Sequence, residues 1–198
     1  MEKKKPKFKN AYERFQDDYA PSVVPADNKD GFKIEYVYIG PWYFWDLPEA
    51  QLKREKKVIA AEYLCSVIAF VLAAVLVRDT NSLALVAFPA IIAMLALFLE
   101  TFGVWHFFFS KYKTSRSSYD TVNRRMRLYP LLLTASAGAA SLGAVYYMIG
   151  YGFSLDRMCA FVGYAAVAAA GFIVYARYKK IPFSTEKNDT IDHIEVAG

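Results

Sequence analysis

Two glutamates and a histidine lie inside long apolar stretches of this sequence, where an ionisable side chain is costly and marks a functional candidate. Glu62 is the only charged residue of residues 58–77, and Glu100 and His106 fall within residues 83–109. A carboxylate in an apolar medium can carry protons, bind a cation or accept a substrate amine. The candidate proton- or ligand-binding residues are therefore Glu100, Glu62, Thr134 and His106.

Glu100 also has a structural interpretation. It lies at a similar depth to Thr134 if the apolar stretches cross one layer as helices, at about 1.5 Å per residue. A neutral Glu100 that donates a hydrogen bond to Thr134 or to a backbone carbonyl would fix the register of two helices. We favour this structural role over a chemical one.

Glu62 and His106 lie nearer to the ends of their stretches. Glu62 is about one turn inside, where its side chain can reach lipid headgroups or pair with Lys57 or Arg127. His106 falls about 120° from Glu100 around a helix of 3.6 residues per turn. We therefore expect His106 at the headgroup level and on a different face from Glu100.

The sequence carries no signature of a known catalytic or metal site. It has no glycine-rich phosphate loop, nucleophile elbow, catalytic Cys–His pattern or HExxH motif. Cys65 and Cys159 fall at different depths, too far apart for a disulfide, so we expect free thiols. We therefore predict a protein that is not an enzyme and that uses neither a metal nor a cofactor.

Four apolar stretches must position the candidate residues, and they cover residues 58–77, 83–109, 128–149 and 158–175. Each approaches the ~20 residues that cross a ~30 Å hydrocarbon core as a helix. Four buried helices of a soluble bundle are the alternative, but such helices would be amphipathic, and these stretches have no polar stripe of comparable width. We predict an all-α membrane protein with four transmembrane helices in an antiparallel bundle.

Lysines and arginines predict the orientation. Of the 24, 22 lie in residues 1–57, 110–127 and 176–198, and the two short loops between the other stretch ends hold the remaining 2. Because basic residues near span ends stay cytoplasmic, we predict a plasma-membrane protein with both termini inside. We expect the basic loop 111–127 to attract anionic lipid headgroups and not nucleic acid.

The chain divides into an N-terminal arm (1–46), a transmembrane domain (47–178) and a polar tail (179–198) that we expect to be loosely ordered. We predict that the arm is cytoplasmic and polar, with a short helix near residues 10–19 and an extended segment at 32–39. Asp46 is the predicted N-cap of the first helix. Four aromatic residues form a predicted interfacial anchor, because amphipathic rings prefer the headgroup level: Trp42, Tyr43, Phe44 and Trp45. An aromatic platform that stacks a base or a sugar is the alternative.

Small residues mark the faces that we expect to pack, because they let helices approach closely in lipid. In the second stretch these residues share a face with Glu100, opposite a bulky face. The predicted packing residues are Ala93, Ala96, Gly103, Ala135, Ala139, Gly143, Gly163 and Gly171.

Two functions from different classes fit these patterns. The first is a non-enzymatic accessory or assembly subunit of a membrane complex, whose partner is another membrane protein or a second copy. The second is a small proton-coupled transporter or exporter that uses Glu100 or Glu62. A four-span chain with a membrane glutamate is similar in outline to the small multidrug exporters, but this chain is nearly twice as long and has a second acid, so none of their residues is carried over. A lipid-headgroup enzyme, the third possibility, lacks a catalytic cluster.

Overall fold

The computed structural model describes residues 15–25, 32–77 and 79–188. Most of the predicted helix at 10–19 lies outside these residues, and its end is a short 3-10 turn, Gln16–Asp18, followed by a strand. Four long helices dominate the described chain, and each is long and apolar enough to cross a membrane. They are α1 (Glu49–Leu76), α2 (Ala84–Phe109), α3 (Arg116–Tyr151) and α4 (Leu155–Lys179).

Two helices extend well beyond their apolar stretches, as predicted for α1, whose expected start lies just after Asp46, but not for α3. Helix α1 begins nine residues before residue 58, and α3 begins at Arg116, so most of the predicted basic loop 111–127 is helical. The loop prediction is wrong there because hydropathy reports which residues avoid water, whereas arginine and methionine remain good helix formers in water. Helix α3 ends where Gly152 adopts a positive φ of 83°, a backbone conformation that glycine permits.

Buried side chains show that neighbouring helices run in opposite directions. One cluster joins Leu52 near the start of α1 to Phe107 near the end of α2 and to Tyr178 near the end of α4. Another joins Val77, just after α1, to Val86 near the start of α2 and to residues at the end of α3 and the start of α4. The bundle is therefore antiparallel, and α3 packs against both α2 and α4.

The described residues also form five short strands, so the predicted all-α fold is mostly rather than wholly helical. Strands β1 (Tyr19–Pro25) and β2 (Phe32–Tyr38) form an antiparallel hairpin. Strand β3 (Trp42–Trp45) pairs with β4 (Lys113–Ser115) on one side and β5 (Phe183–Glu186) on the other. The predicted loose tail is therefore a strand at its first part, because β3 offers it an unpaired edge.

The three-stranded sheet defines one end of the bundle, which we call the sheet end. Asp46 is part of this layer, since its backbone N–H donates to Pro182 O at 3.0 Å. The predicted N-cap role of Asp46 is wrong for this reason, and α1 begins after Pro48 with no side-chain cap. The other end, the loop end, is closed by Thr80, whose backbone and hydroxyl both donate to the Asp156 carboxylate.

Candidate functional site

Glu100 lies on the buried face of α2 and is fully buried, with 0% of its surface exposed. Neither of its carboxylate oxygens has a hydrogen-bond partner among the described residues. Thr134 donates instead to Pro130 O, one turn back on its own helix, at 2.8 Å. The hydrogen bond expected between Glu100 and Thr134 is therefore not formed, because a helical threonine can bond its own i−4 carbonyl.

A pair of hydroxyl groups lies close to Glu100 and links two helices. The Tyr63 hydroxyl of α1 is 2.6 Å from the hydroxyl of Thr101, the residue that follows Glu100 on α2. Thr101 in turn donates to Leu97 O at 3.2 Å. Glu100 thus lies beside a polar contact between α1 and α2 without a hydrogen bond to it.

Glu62 belongs to an ion-pair cluster between α1 and α4. Arg177 Nε donates to Glu62 Oε1 at 2.7 Å, and Arg177 Nη1 donates to Glu55 Oε2 at 3.3 Å. The two glutamates are seven residues apart, two helical turns, so they present their carboxylates on one face of α1. The expected pairing with Lys57 or Arg127 is wrong, because α4 places Arg177 against this face.

His106 lies on an exposed part of α2 and contacts α3. Arg125 Nη1 lies 2.7 Å from His106 Nδ1. A guanidinium only donates hydrogen bonds, so Nδ1 accepts and a neutral imidazole carries its proton on Nε2. The pair links α2 to α3 on the exposed surface of the sheet end.

Lys56 is a buried cation that is not among the predicted site residues. Its side chain is 8% exposed, its Nζ donates to Ser110 O at 2.5 Å, and it lies 5.6 Å from the centre of the Phe107 ring. The ammonium group therefore satisfies a carbonyl at the end of α2, where the helix dipole favours positive charge. The sequence did indicate this burial, because Leu52, Lys56 and Ile59 are spaced so that they share one helix face, and two of the three are apolar.

The aromatic run 42–45 divides between two faces of β3, because successive strand residues point to opposite sides. Trp45 is 2% exposed, and its ring lies 5.3 Å from Phe107 and 5.6 Å from Tyr119. Tyr43 stacks on Tyr119 at 4.6 Å. The anchor prediction is wrong for Trp45, which packs in the core beneath the sheet.

The other two aromatic residues of β3 form a cation-binding face. Lys113 Nζ lies 4.7 Å from the Trp42 ring centre and 5.3 Å from that of Phe44. Both rings are half-buried. Cation–π contacts of this kind hold a lysine head group in place at the surface.

Tyr38 fastens the hairpin to the start of α3. Its hydroxyl accepts from Arg116 N–H at 2.9 Å and donates to Pro41 O at 2.6 Å. Burial raises the pKa of Tyr38 above its ordinary value, and the bond from Arg116 opposes this shift only in part. Arg116 also lies 3.7 Å from the Asp18 carboxylate, so the hairpin is held at a fixed place beside the bundle.

The structure buries most of the predicted packing residues but not all. Ala93 and Ala96 are fully buried, and a Cβ built on Gly103 would lie 3.3 Å from α3. Similar close approaches occur at Gly143 against Leu85, at Gly163 against Ala73 and at Gly171 against Leu133, Pro130 and Thr134.

Ala135 and Ala139 are exposed, so the packing prediction is wrong at these two positions. A row of residues spaced by four drifts about 40° per step around a helix, hence about 80° from residue 135 to residue 143. Gly143 and Ala135 therefore cannot share one contact line. The buried row in this part of α3 contains Ser136, Ala137 and Ala140.

Cys65 and Cys159 are exposed free thiols. Within the described parts of the chain, no three His, Cys, Asp or Glu side chains lie close enough together to hold a metal ion. Comparisons with protein families, with curated proteins and with solved structures find no match to this chain. Its function must therefore be inferred from its own side chains.

Proposed function

We propose that this chain is a multi-pass plasma-membrane protein and a non-enzymatic accessory or assembly subunit of a membrane complex. The membrane assignment is supported by bulky apolar side chains that cover the outside of the helices. Phe88, Phe98 and Leu72 are more than half exposed in the isolated chain. Water would make so large an apolar surface unfavourable, whereas hydrocarbon would cover it without cost.

The distribution of basic residues supports a sheet end that faces the cytoplasm. Lys56, Lys113, Arg116 and Arg177 all lie in or next to the sheet end, whereas the loop end has Arg157 near the start of α4. An excess of lysine and arginine is typical of cytoplasmic segments. The sheet, the hairpin and both termini would then lie inside the cell.

The observation that carries the accessory role is the β1–β2 hairpin. In the described chain these two strands pair only with each other, which leaves an outer edge on each. Tyr36 on β2 is 73% exposed. An unpaired strand edge accepts an extended segment of another chain, and aromatic side chains beside it supply contact area. The hairpin thus offers a docking surface for a partner protein or for a second copy.

Three ionisable side chains of the described helices support the same role, because each of them contacts another helix. Glu62 is bonded to Arg177, His106 to Arg125, and Lys56 to the end of α2. These contacts join α1 to α4, α2 to α3, and α1 to α2. Groups that are engaged in this way stabilise the packing of the helices.

Exposed Tyr36 allows the accessory role to be tested with a matched control. We expect the full chain, cross-linked in its native membrane and purified in a mild detergent, to form a complex of defined stoichiometry. Tyr36→Lys should reduce recovery of this complex severalfold, because it adds a charge to the docking surface. Tyr151→Lys, at a 71% exposed position at the loop end, should leave recovery unchanged.

Two results would contradict this proposal. One is a cross-linked chain that runs as a monomer with no partner. The other is equal recovery of the complex with the Tyr36 and Tyr151 variants. Either would remove the hairpin as the carrier of a partner-binding function.

Proton-coupled transport is a second candidate function, and the Glu100 carboxyl favours it. A buried carboxyl group without a hydrogen-bond partner is expensive and often functional. Under the accessory role, Glu100→Gln should leave cellular abundance and drug tolerance unchanged, since it removes no hydrogen bond seen among the described residues.

Glu100→Ala should instead lower stability by about 2 kcal/mol or more, because it leaves a cavity. Abundance in membranes and proton-coupled uptake into cells are the measurements. A well-expressed Glu100→Gln protein that loses proton-coupled uptake would establish transport in place of the accessory role.

A further inference from the structure

A groove of about 620 Å³ lies at the sheet end, between the hairpin, the end of α2 and the start of α3. Its size suits one head group with part of its attached chain. Tyr38 of the hairpin forms one wall, and its hydrogen bonds to Arg116 and Pro41 hold that wall in place. Of the candidate proton- or ligand-binding residues, His106 lines the groove, whereas Glu100, Glu62 and Thr134 do not.

One part of the groove is positively charged and rich in hydroxyl groups. Lys111 and Lys113 line it together with serine and threonine side chains that include Ser118 and Thr121. None of the lining residues is acidic, and neither lysine forms an ion pair with a carboxylate of the described chain. Ammonium and hydroxyl groups without an acid among them favour a phosphate ester.

The other part of the groove is aromatic and faces the side of the bundle. Trp105 and Phe109 line it, and their ring centres are 4.5 Å apart. Both side chains are about 60% exposed on the outside of α2, on the helix surface that a bilayer would cover. An apolar chain that leaves the groove in this direction would continue into the hydrocarbon.

From these two parts we infer that the groove binds one anionic phospholipid, with its phosphate at Lys111 and Lys113 and an acyl chain along Trp105 and Phe109. A free phosphate or a soluble phosphate ester would use the basic part and leave the aromatic part empty. Headgroups were expected to be attracted to residues 111–127 as a whole, whereas the groove provides one defined binding site within this region. It does not depend on the accessory role, because that role uses exposed Tyr36 of the hairpin, which does not line the groove.

Lipid binding by the full chain in a neutral detergent tests this site. The probes are a short-chain phosphatidylglycerol, a phosphatidylcholine of equal chain length and inorganic phosphate, with bound lipid counted by native mass spectrometry. We expect phosphatidylglycerol to bind in a 1:1 complex. The double variant Lys111→Gln, Lys113→Gln should weaken this binding about tenfold or more, since each lysine near a lipid head group contributes severalfold.

Lys179 and Lys180 provide the matched control. They are exposed neighbours at the same end of the bundle, so Lys179→Gln with Lys180→Gln removes the same charge. We expect this pair to change phosphatidylglycerol binding less than twofold. If both double variants lose phosphatidylglycerol binding equally, the attraction is nonspecific and the proposed site is wrong.

Contact between the acyl chain and Trp105 distinguishes a bound phospholipid from a free phosphate. Phosphatidylglycerol with brominated acyl chains should quench Trp105 fluorescence, and Trp105→Phe should remove most of that quenching. Full competition by inorganic phosphate without quenching by the brominated lipid would overturn the lipid assignment. Equal binding of phosphatidylcholine would overturn the requirement for an anionic head group.

Discussion

Alanine in place of Trp45 is expected to lower the free energy of unfolding by about 3–5 kcal/mol, the cost of removing a large aromatic side chain from a core. Trp45 is buried beneath the three-stranded sheet, with Phe107, Tyr119 and Tyr178 around its ring. These residues come from α2, α3 and α4, so the cavity would loosen the contact of β3 with three helices. Unfolding in mixed micelles, followed by circular dichroism, measures the change.

Trp42 provides the control for this prediction, because it lies on the opposite face of the same strand and is half-buried. Trp42→Ala should cost less than half as much as Trp45→Ala. Trp45→Phe should also cost far less, since the indole N–H of Trp45 has no hydrogen-bond partner among the described residues. If Trp42→Ala and Trp45→Ala destabilise the protein equally, the assignment of Trp45 to the core is wrong.

Alanine in place of Gly143 is expected to destabilise the bundle by about 1–3 kcal/mol through overpacking. A Cβ on Gly143 would collide with the backbone carbonyl of Leu85, whose carbon would be 2.9 Å away. A backbone cannot rotate out of the way as a side chain can, so α2 and α3 would have to separate near the loop end. The same unfolding titration measures the loss.

Gly138 is the matched control, because it lies on the same helix five residues earlier and a Cβ there would meet nothing within 4 Å. Gly138→Ala should stabilise the protein by about 1 kcal/mol, since alanine has a much higher helix propensity than glycine. The two substitutions make the same chemical change and are expected to have opposite signs. Equal effects would show that α2 and α3 do not approach closely at Gly143.

The apolar helices were predictable because a residue's preference for an apolar medium belongs to its own side chain. The stretch at residues 83–109 differs from α2 by one residue at its start and not at its end. The face that contains Ala93, Ala96 and Glu100 follows from the helical repeat alone. The prediction failed at Ala135 and Ala139 because small residues spaced by four do not stay on one face of a helix, so the row leaves the surface that packs against the neighbouring helices.

The partners of the candidate residues were not predictable in the same way. Glu62 pairs with Arg177, which is 115 residues away along the chain. The residues around Glu62 and around Arg177 give no indication that these two side chains are partners. Glu100 was expected to bond Thr134 or a backbone carbonyl, but it is buried without a hydrogen-bond partner among the described residues, and Thr134 bonds a carbonyl of its own helix. Which of these bonds forms depends on how α2 and α3 are rotated against each other.

The three-stranded sheet likewise depends on contacts between distant segments that local sequence does not predict. Strand β3 contains four aromatic residues and no alternation of polar and apolar side chains, so its sequence alone favours an anchor at a membrane surface. It becomes a central strand because β4 and β5, about 70 and 140 residues further along, are brought to the same end by three helix reversals. Strands of three or four residues gain too little from their own sequence to be recognised without those partners.

Local sequence therefore determined which segments are apolar, how long they are and at which of their ends basic residues gather, since each property sums contributions from adjacent residues. Only the tertiary structure decided that Trp45 is core, that Lys56 caps α2 and that Lys111 and Lys113 share a groove with Trp105. Those arrangements depend on contacts between segments that are distant in the chain, and the geometry of such contacts is set when the helices pack.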